Sequence, residues 1–176
     1  LVIGSGAREH IITEKLSFSG SPVYSVLTNL NPGILDISAA SHSVNDYHSN
    51  ISKRMIMEFA SEHSVNCVVI GPEDPLAHGL SDMFWKQDIP VVGPTQNLAQ
   101  IESSKGFTRD LLNKYSIHAS PLYKRFTSMN GASEFIDELG DDFVIKFDGL
   151  MGGKGVKLSG EHLSSKSEAL EYCKKI

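Results

Sequence analysis

The chain has 176 residues, enough for one large domain or two small ones, and its 40% hydrophobic and 21% charged residues are ordinary values for a globular protein. This composition excludes global disorder, and no apolar run reaches the roughly 18 residues that a transmembrane helix needs. The formal net charge of −5 argues against nonspecific binding to nucleic acid or to acidic membranes.

The charged residues are distributed unevenly along the chain. Residues 1–98 contain 5 basic and 10 acidic side chains, whereas residues 99–176 contain 11 of each. The second part is therefore neutral but rich in cations, which suits the binding of a phosphorylated ligand.

The two cysteines, Cys67 and Cys173, are too few for a disulfide framework or a zinc site. Cys67 lies in an apolar run, so we expect it to be a small buried residue. No signal peptide is recognisable, which predicts a reducing, cytoplasmic location. The sequence begins within an apolar run and ends within a predicted helix, so we expect a fragment of a longer protein.

Short apolar runs alternate with helical patterns in the first 98 residues. The predicted strands cover 1–3, 23–27, 67–70 and 90–93. The predicted helices cover 8–17, 51–63 and 75–86, and the polar segment 38–50 is expected to be mostly loop. Asp74 is expected to be the N-cap of the last helix, with Pro75 as its first residue. The alternation predicts an α/β fold with a parallel, Rossmann-like sheet.

The pattern changes after Pro94. The predicted elements are helical structure over 98–115 with a break near Ser103 and Ser104, an extended piece over 120–125, and a helix over 131–139 that Gly140 ends. A final helix is predicted from the capping box of Ser165 and Glu168.

Two predicted strands, 143–147 and 156–158, have no helix between them, so we expect a hairpin and not a continuation of the parallel sheet. The chain is therefore predicted to contain one domain over 1–98, linking helices over 99–118, and the first part of a second domain over 119–176.

The glycine-rich turn after the first strand reads Gly4-Ser5-Gly6-Ala7-Arg8 and opens a helix. A dinucleotide fingerprint would need a third Gly at position 9, where the chain has Glu9, and an acidic residue after the second strand, where it has Thr28 and Asn29. The turn instead predicts a site for phosphate or another anion, supported by Arg8. The alternative is a tight turn without a ligand. Glu9 is expected to favour the helix start, and His10 to be structural.

A second turn, Gly71 to Pro75, follows the strand at 67–70. Ligands of parallel sheets bind beyond the carboxyl ends of the strands, so Glu73 is expected to face the same crevice as the turn at Gly4. A carboxylate beside an anion site predicts a ligand that carries an amine or hydroxyl as well as a phosphate.

The loop from Asp148 to Gly155 contains four glycines and Lys154 between two strands. It is not a P-loop, because no Ser/Thr and helix follow the lysine. With Lys146 on the preceding strand, it predicts a mobile flap that closes over polyphosphate. The alternative is an exposed hairpin with surface lysines.

Six motifs occur in a fixed order along the chain. They are Val2–His10, Asn31–Gly33, Val69–Leu76 with Gly79 and Asp82, Gly93–Thr95, Ser104–Thr108, and Val144–Leu150 with Gly153–Val156. Together they resemble the phosphoribosylamine–glycine ligase family of the ATP-grasp superfamily. The departures are Ala7 in place of a third Gly, Phe147 in place of Ala, and Met151-Gly152 in place of two small residues. Phe147 is expected to point away from Lys146.

The resemblance implies an ATP-dependent carbon–nitrogen ligase of purine biosynthesis, which joins glycine to 5-phosphoribosylamine through a glycyl phosphate. It implies that the ribosylamine is bound by Gly4, Gly6, Ala7, Arg8, Asn31, Gly33, Pro72, Glu73 and Asp82. It implies that ATP is bound by Lys105, Lys146, Gly149, Gly152, Gly153, Lys154 and Gly155. No catalytic side chain is assigned.

Further expectations follow from the same resemblance. Residues 1–98 would form the substrate-binding domain, and 119–176 the first part of the ATP-grasp domain. The ligands of Mg²⁺ or Mn²⁺ would lie beyond residue 176, so the fragment is expected to be inactive alone. We expect a monomer or weak homodimer that binds neither nucleic acid nor membranes. Another ATP-grasp ligase or carboxylase, and a non-catalytic nucleotide sensor, are the alternatives.

Overall fold

A five-stranded parallel sheet organises the amino-terminal part of the chain, in a computed structural model that describes all residues from Leu1 to Ile176. The strands are β1 (Val2–Ile3), β2 (Tyr24–Leu27), β3 (Ala40–Ser43), β4 (Val68–Ile70) and β5 (Val91–Val92). Their order is β3-β2-β1-β4-β5, and every neighbouring pair is parallel. The predicted α/β class and parallel sheet are confirmed.

Helices connect these strands, and one further helix follows β5. They are α1 (Ala7–Ser17), α2 (Pro32–Ile37), α3 (Asn50–Glu62), α4 (Glu73–Ala77), α5 (Leu80–Trp85) and α6 (Gln96–Ser103). The strands and helices bury one apolar core, in which Ile3, Val26, Ile56, Leu80 and Phe84 are almost completely inaccessible to solvent. The continuous apolar sequences of β1 and β4, at the centre of the sheet, are what coverage on both faces requires.

Two elements of the sheet region were not predicted. Helix α2 begins at Pro32 after Asn31, whose side chain accepts a hydrogen bond from the Ile34 N–H, so the chain carries a regular start signal there. Strand β3 lies within the segment expected to be loop. Its sequence Ala-Ser-His-Ser has no apolar alternation, and its structure comes from pairing with β2 at the edge of the sheet.

The helix predicted over 75–86 is two helices. Gly79 adopts a left-handed conformation with φ +78°, which ends α4 and precedes α5. Helix α4 has Pro72 as its N-cap, so Asp74 lies in the first turn and the prediction that it is the N-cap was wrong. Cys67 was also predicted wrongly. It precedes β4 and is exposed.

The second compact unit covers Ser103–Ile176, after a first unit of Leu1–Glu102. Its elements are α7 (Lys105–Lys114), α8 (Ala132–Leu139), β6 (Val144–Lys146), β7 (Val156–Leu158) and α9 (Lys166–Cys173). Strands β6 and β7 pair antiparallel, which confirms the predicted hairpin. No strand forms over 120–125, where an extended piece was predicted.

Local signals explain the helix boundaries of this unit. The predicted break between two helices is confirmed at Ser104, whose hydroxyl accepts a hydrogen bond from the Phe107 N–H at the start of α7. Helix α8 ends at Gly140, as predicted, with φ +75°. A small core forms around Ile136, Leu163 and Ala169. None of the helices in either unit is both long and apolar enough to cross a membrane.

Candidate functional site

The two glycine turns of the first unit follow neighbouring strands. Ile3 at the end of β1 is paired with Ile70 at the end of β4, and the Gly71 N–H donates a 3.0 Å hydrogen bond to the Ile3 carbonyl. The turns therefore leave the same carboxyl edge of the sheet, at the centre of the strand order, where parallel sheets form their ligand crevice.

Arg8 and Glu73 meet at this edge. Arg8 Nη2 lies 3.9 Å from Glu73 Oε2, and the two side chains are 74% and 42% exposed. The structure thus brings together two residues singled out from separate sequence motifs. An exposed pair at this distance contributes little to stability. Both groups remain available to a ligand that has a negative charge and a hydrogen-bond donor.

The residue that the sequence reasoning undervalued here is Glu9. It is only 4% exposed, its Oε2 accepts a 2.6 Å hydrogen bond from the Gly6 N–H, and its Oε1 is buried without a hydrogen-bond partner. A Cβ atom on Gly4 or Gly71 would overlap this side chain, and one on Gly6 would lie 2.8 Å from Oε2. Both turns are glycine-rich because they close around a buried carboxylate.

The neighbouring His10 has a similar relation to the third predicted glycine motif. A Cβ atom on Gly33 would overlap the His10 imidazole. Asn31 holds the same segment against the first turn, because its Nδ2 donates a 3.0 Å hydrogen bond to the Ser5 carbonyl. The sequence signal that could have identified these contacts is the occurrence of glycine in all three turns, together with two consecutive large side chains, Glu9 and His10. The glycines leave the space that these two side chains fill.

The remaining predicted residues of this unit have different surroundings. Ala7 is the exposed first residue of α1, and Pro72 precedes α4. Asp82 accepts a 2.7 Å hydrogen bond from the backbone N–H of Gln96 at the start of α6. One oxygen of its carboxylate is therefore engaged by that helix, and its role in binding the ribosylamine stays a prediction.

In the second unit, the base of the glycine-rich loop is fixed to the start of α7. Asp148 accepts hydrogen bonds from the Gly106 N–H at 3.1 Å and from the Ser104 hydroxyl at 3.1 Å, and it forms a 3.2 Å ion pair with Arg125. Lys105 Nζ donates a 2.7 Å hydrogen bond to the Gly149 carbonyl. Two of the predicted ATP-binding residues, Lys105 and Gly149, are thereby in direct contact.

The rest of the loop is open. Gly152 and Gly153 have φ values of +52° and +81°, and a Cβ atom on either would meet nothing within 4 Å. At Gly149 and Gly155, in contrast, a Cβ atom would lie 2.6 Å from the Phe147 ring and 3.0 Å from Met151. The tip needs glycine for its backbone conformation, whereas the base needs it for space.

The two lysines near the loop have no ionic partner. Lys146 on β6 and Lys154 in the loop are both exposed and take part in no ion pair of this structure. Their charges are available to an anion without breaking an existing contact.

The resemblance to ATP-grasp proteins implies Mg²⁺ beside the nucleotide, which would need oxygen ligands. The one group of three potential metal ligands is His48, Asp74 and His78. Two imidazoles do not suit Mg²⁺, which takes oxygen ligands. Asp148 is committed to Arg125 and Ser104. The residues present therefore do not fit Mg²⁺.

Family comparisons agree with this division of the chain. The family described as phosphoribosylglycinamide synthetase, N domain, matches residues 1–102, and its ATP-grasp (A) domain matches residues 103–176.

Curated relatives cover the whole chain. The phosphoribosylamine–glycine ligase of Methanosphaera stadtmanae is 44% identical over 176 residues, which are 100% of this chain and 39% of the relative. That of Methanopyrus kandleri is 41% identical over 181 residues, again 100% of this chain and 39% of the relative. The chain thus spans about two fifths of the length of these relatives.

Solved structures share the fold. The phosphoribosylamine–glycine ligase of Thermotoga maritima aligns with 97% of this chain and 37% of its own, with a TM-score of 0.68 and 23% identity. The N5-carboxyaminoimidazole synthetase of Staphylococcus aureus, complexed with ADP, aligns with 98% of this chain and 44% of its own, with a TM-score of 0.77 and 13% identity. At these identities the likeness concerns architecture alone.

Proposed function

The chain belongs to the phosphoribosylglycinamide synthetase family, and from that premise we propose that it forms the substrate-binding and first nucleotide-binding part of a ligase that joins glycine to 5-phosphoribosylamine. The products are glycinamide ribonucleotide, ADP and phosphate. The observation that supports this most directly is the pairing of Arg8 with Glu73 at the carboxyl ends of β1 and β4. It offers a cation and a carboxylate to a substrate that has a phosphate and an amine.

The reaction has two steps. A carboxylate oxygen of glycine attacks the γ-phosphorus of ATP, the bond to the β-phosphate oxygen breaks, and glycyl phosphate and ADP result. The ribosylamine nitrogen then attacks the acyl carbon, loses a proton and displaces phosphate. Such chemistry depends on positioning and on stabilising phosphate charge, so it requires no nucleophilic side chain from the protein.

The first unit would bind the ribosylamine. The first turn of α1 has N–H groups without intrahelical partners, and Gly6, Ala7 and Arg8 are exposed. The Gly6 N–H already donates a hydrogen bond to Glu9. The phosphate would therefore accept hydrogen bonds from the N–H groups of Ala7 and Arg8 and from the Arg8 guanidinium. Glu73 would accept hydrogen bonds from the amine or ribose.

Asn31, Gly33 and Pro72 would shape the walls of the same crevice. Asn31 is tied to the Ser5 carbonyl, and Pro72 lies beside Gly4, where a Cβ atom would be 2.9 Å from its ring. These residues would act by holding the two turns in place, and not by charge.

The second unit would bind ATP. Lys146 and Lys154 have free charges, and the tip at Gly152 and Gly153 has room to close over phosphates. Lys105 would contribute through its contact with the loop base as well as by charge. Mg²⁺, or Mn²⁺ in its place, would neutralise phosphate charge, with ligands other than the residues described above.

We further propose a cytoplasmic location, since the charged, phosphorylated substrates and ATP are retained there, and a monomer or weak homodimer. This chain by itself would be inactive.

A coupled assay of ADP release by the intact protein tests the proposed reaction. ATP turnover should require both glycine and 5-phosphoribosylamine, and omission of either should reduce it to background. ATP turnover supported by bicarbonate in place of glycine would instead indicate a carboxylase. ATP binding without turnover under any condition would indicate a nucleotide sensor.

A further inference from the structure

We propose that His48, Asp74 and His78 form a surface binding site for a divalent transition-metal ion that accepts nitrogen ligands, such as Zn²⁺, Co²⁺ or Ni²⁺. The site lies in the first unit and does not depend on the proposed reaction. Sequence reasoning assigned none of its three residues to a ligand, because they come from two segments that only the fold brings together.

The carboxylate of Asp74 lies between the two imidazoles. Its Oδ1 is 3.3 Å from His78 Nδ1, and its Oδ2 is 3.6 Å from His48 Nδ1. The two rings are 5.1 Å apart between centroids, and one ligand atom from each of the three residues lies within 4.8 Å of the others.

Only small side-chain movements separate this arrangement from a coordinated ion. Zn²⁺ binds imidazole nitrogen and carboxylate oxygen at about 2.0–2.2 Å, so the ligand atoms must approach one another slightly. The side chains of His48, Asp74 and His78 are 54%, 43% and 45% exposed, so they can rotate without disturbing the core.

The backbone that carries the ligands is held in place independently of any ion. Asp46 Oδ1 accepts hydrogen bonds from the N–H groups of His48 at 2.9 Å and Ser49 at 2.6 Å, which fixes the turn before α3. Lys53 Nζ donates a 2.7 Å hydrogen bond to the His78 carbonyl. Both histidines are therefore presented from anchored segments.

The ring nitrogen that faces Asp74 is Nδ1 in both histidines. In His78 this atom also lies 2.9 Å from the backbone carbonyl of Asp74, which holds the ring in its present orientation. Nδ1 is therefore the nitrogen that would bind the ion, in its unprotonated form.

The donor set decides the class of ion. Two imidazoles and one carboxylate favour zinc, cobalt or nickel over magnesium or calcium. Three protein ligands leave at least one coordination position for water, so we expect an open site with exchangeable metal. Because Asp74 lies in the first turn of α4 and His48 in the turn before α3, a bound ion would also link these two segments.

Cobalt is the probe that tests this site. One equivalent of Co²⁺ added to the intact protein, without nucleotide, should produce visible ligand-field absorption bands, and Zn²⁺ should abolish them by competition. His48→Gln, Asp74→Asn and His78→Gln should each weaken Co²⁺ binding at least about tenfold. His118→Gln, which removes an exposed imidazole of the second unit, is the matched control and should leave binding unchanged.

Thermal unfolding distinguishes loss of the site from loss of the fold. Without metal, the variants should unfold at the same temperature as the parent protein, since the three side chains are on the surface. With Zn²⁺ the parent should gain thermal stability and the three variants should not. The proposal is overturned if the parent produces no cobalt bands, or if His118→Gln reduces binding as much as His78→Gln.

Discussion

The ammonium group of Lys105 donates a 2.7 Å hydrogen bond to the carbonyl oxygen of Gly149, which is 44 residues away along the chain. This contact joins the start of α7 to the base of the glycine-rich loop. The hydrogen bond from the Gly106 N–H to Asp148 restrains the same end of the loop, and the Phe147 N–H ties the other end to it by donating a 2.8 Å hydrogen bond to the Gly155 carbonyl. The loop is thus an anchored base followed by an open tip, and not a uniformly flexible segment.

Hydrogen exchange should separate these two parts. Without nucleotide, the amides of Gly152 and Gly153 at the tip should exchange faster than the amide of Phe147 at the base, because the Phe147 N–H donates a 2.8 Å hydrogen bond to the Gly155 carbonyl. ATP should slow exchange at the tip by giving its N–H groups acceptors. Equal protection of base and tip in the nucleotide-free protein would contradict the flap and support a structural hairpin.

Lys146 should contribute to ATP binding without contributing to stability. Lys146→Ala removes a free charge, so ATP affinity should fall by about tenfold to 150-fold, equivalent to about 1.5–3 kcal/mol for a charge-assisted contact. Calorimetric titration of the parent protein and the variant with ATP measures this change in affinity. The control is Lys157→Ala. Lys157 is paired with Ile145, so it lies on the face of the hairpin opposite to Lys146, and this variant should bind ATP as tightly as the parent protein does.

Arg8 and Glu73 should affect the ribosylamine and not ATP. Arg8→Gln should raise the KM for 5-phosphoribosylamine, because a phosphate contact is lost. Glu73→Gln should lower kcat/KM for the same substrate by about tenfold to a thousandfold, or about 1.4–4 kcal/mol. Steady-state kinetics with each substrate varied in turn measures both. An equal change in the KM or kcat/KM for ATP would contradict the proposal that Arg8 and Glu73 bind the ribosylamine.

Glu9 should be coupled energetically to Gly71. Gly71→Ala places a Cβ atom into the space of Glu9 and should destabilise the fold by about 1–3 kcal/mol. Glu9→Ala should cost about 1.5–3 kcal/mol through the lost hydrogen bond to Gly6. In the double variant the overlap disappears, so the two losses should not add.

Chemical denaturation of the parent and the three variants measures that coupling. Glu14→Gln, on the same helix, is the control for a change of charge and should have little effect. Strict additivity in the double variant would show that Gly71 is not packed against Glu9.

The two cysteines should differ in their reaction with iodoacetamide. Cys67 is exposed, whereas burial raises the pKa of the Cys173 thiol and leaves less thiolate at neutral pH. The peptide that contains Cys67 should therefore be alkylated first, as measured by mass spectrometry over time. Faster labelling of Cys173 would contradict the structure at both positions.

Local sequence patterns determined most of the framework. Several elements were predictable because each depends on burial or backbone conformation within a few residues. They are the strands that have apolar runs, the hairpin, the break at Ser104 and the end of α8 at Gly140. The shared edge of the two glycine turns was predictable for a related reason, since carboxyl ends of parallel strands meet on one side of a sheet. The family followed from motifs in fixed order.

Only the tertiary structure decided which side chains face one another. Strand β3 exists because β2 offers it a paired edge, and Glu9 is buried because turns from two separate strands close around it. Asp82 is engaged by α6, and His48 reaches Asp74 across 26 positions of sequence. These contacts depend on how elements distant in sequence are packed, and a pattern read along the chain has no information about packing between them.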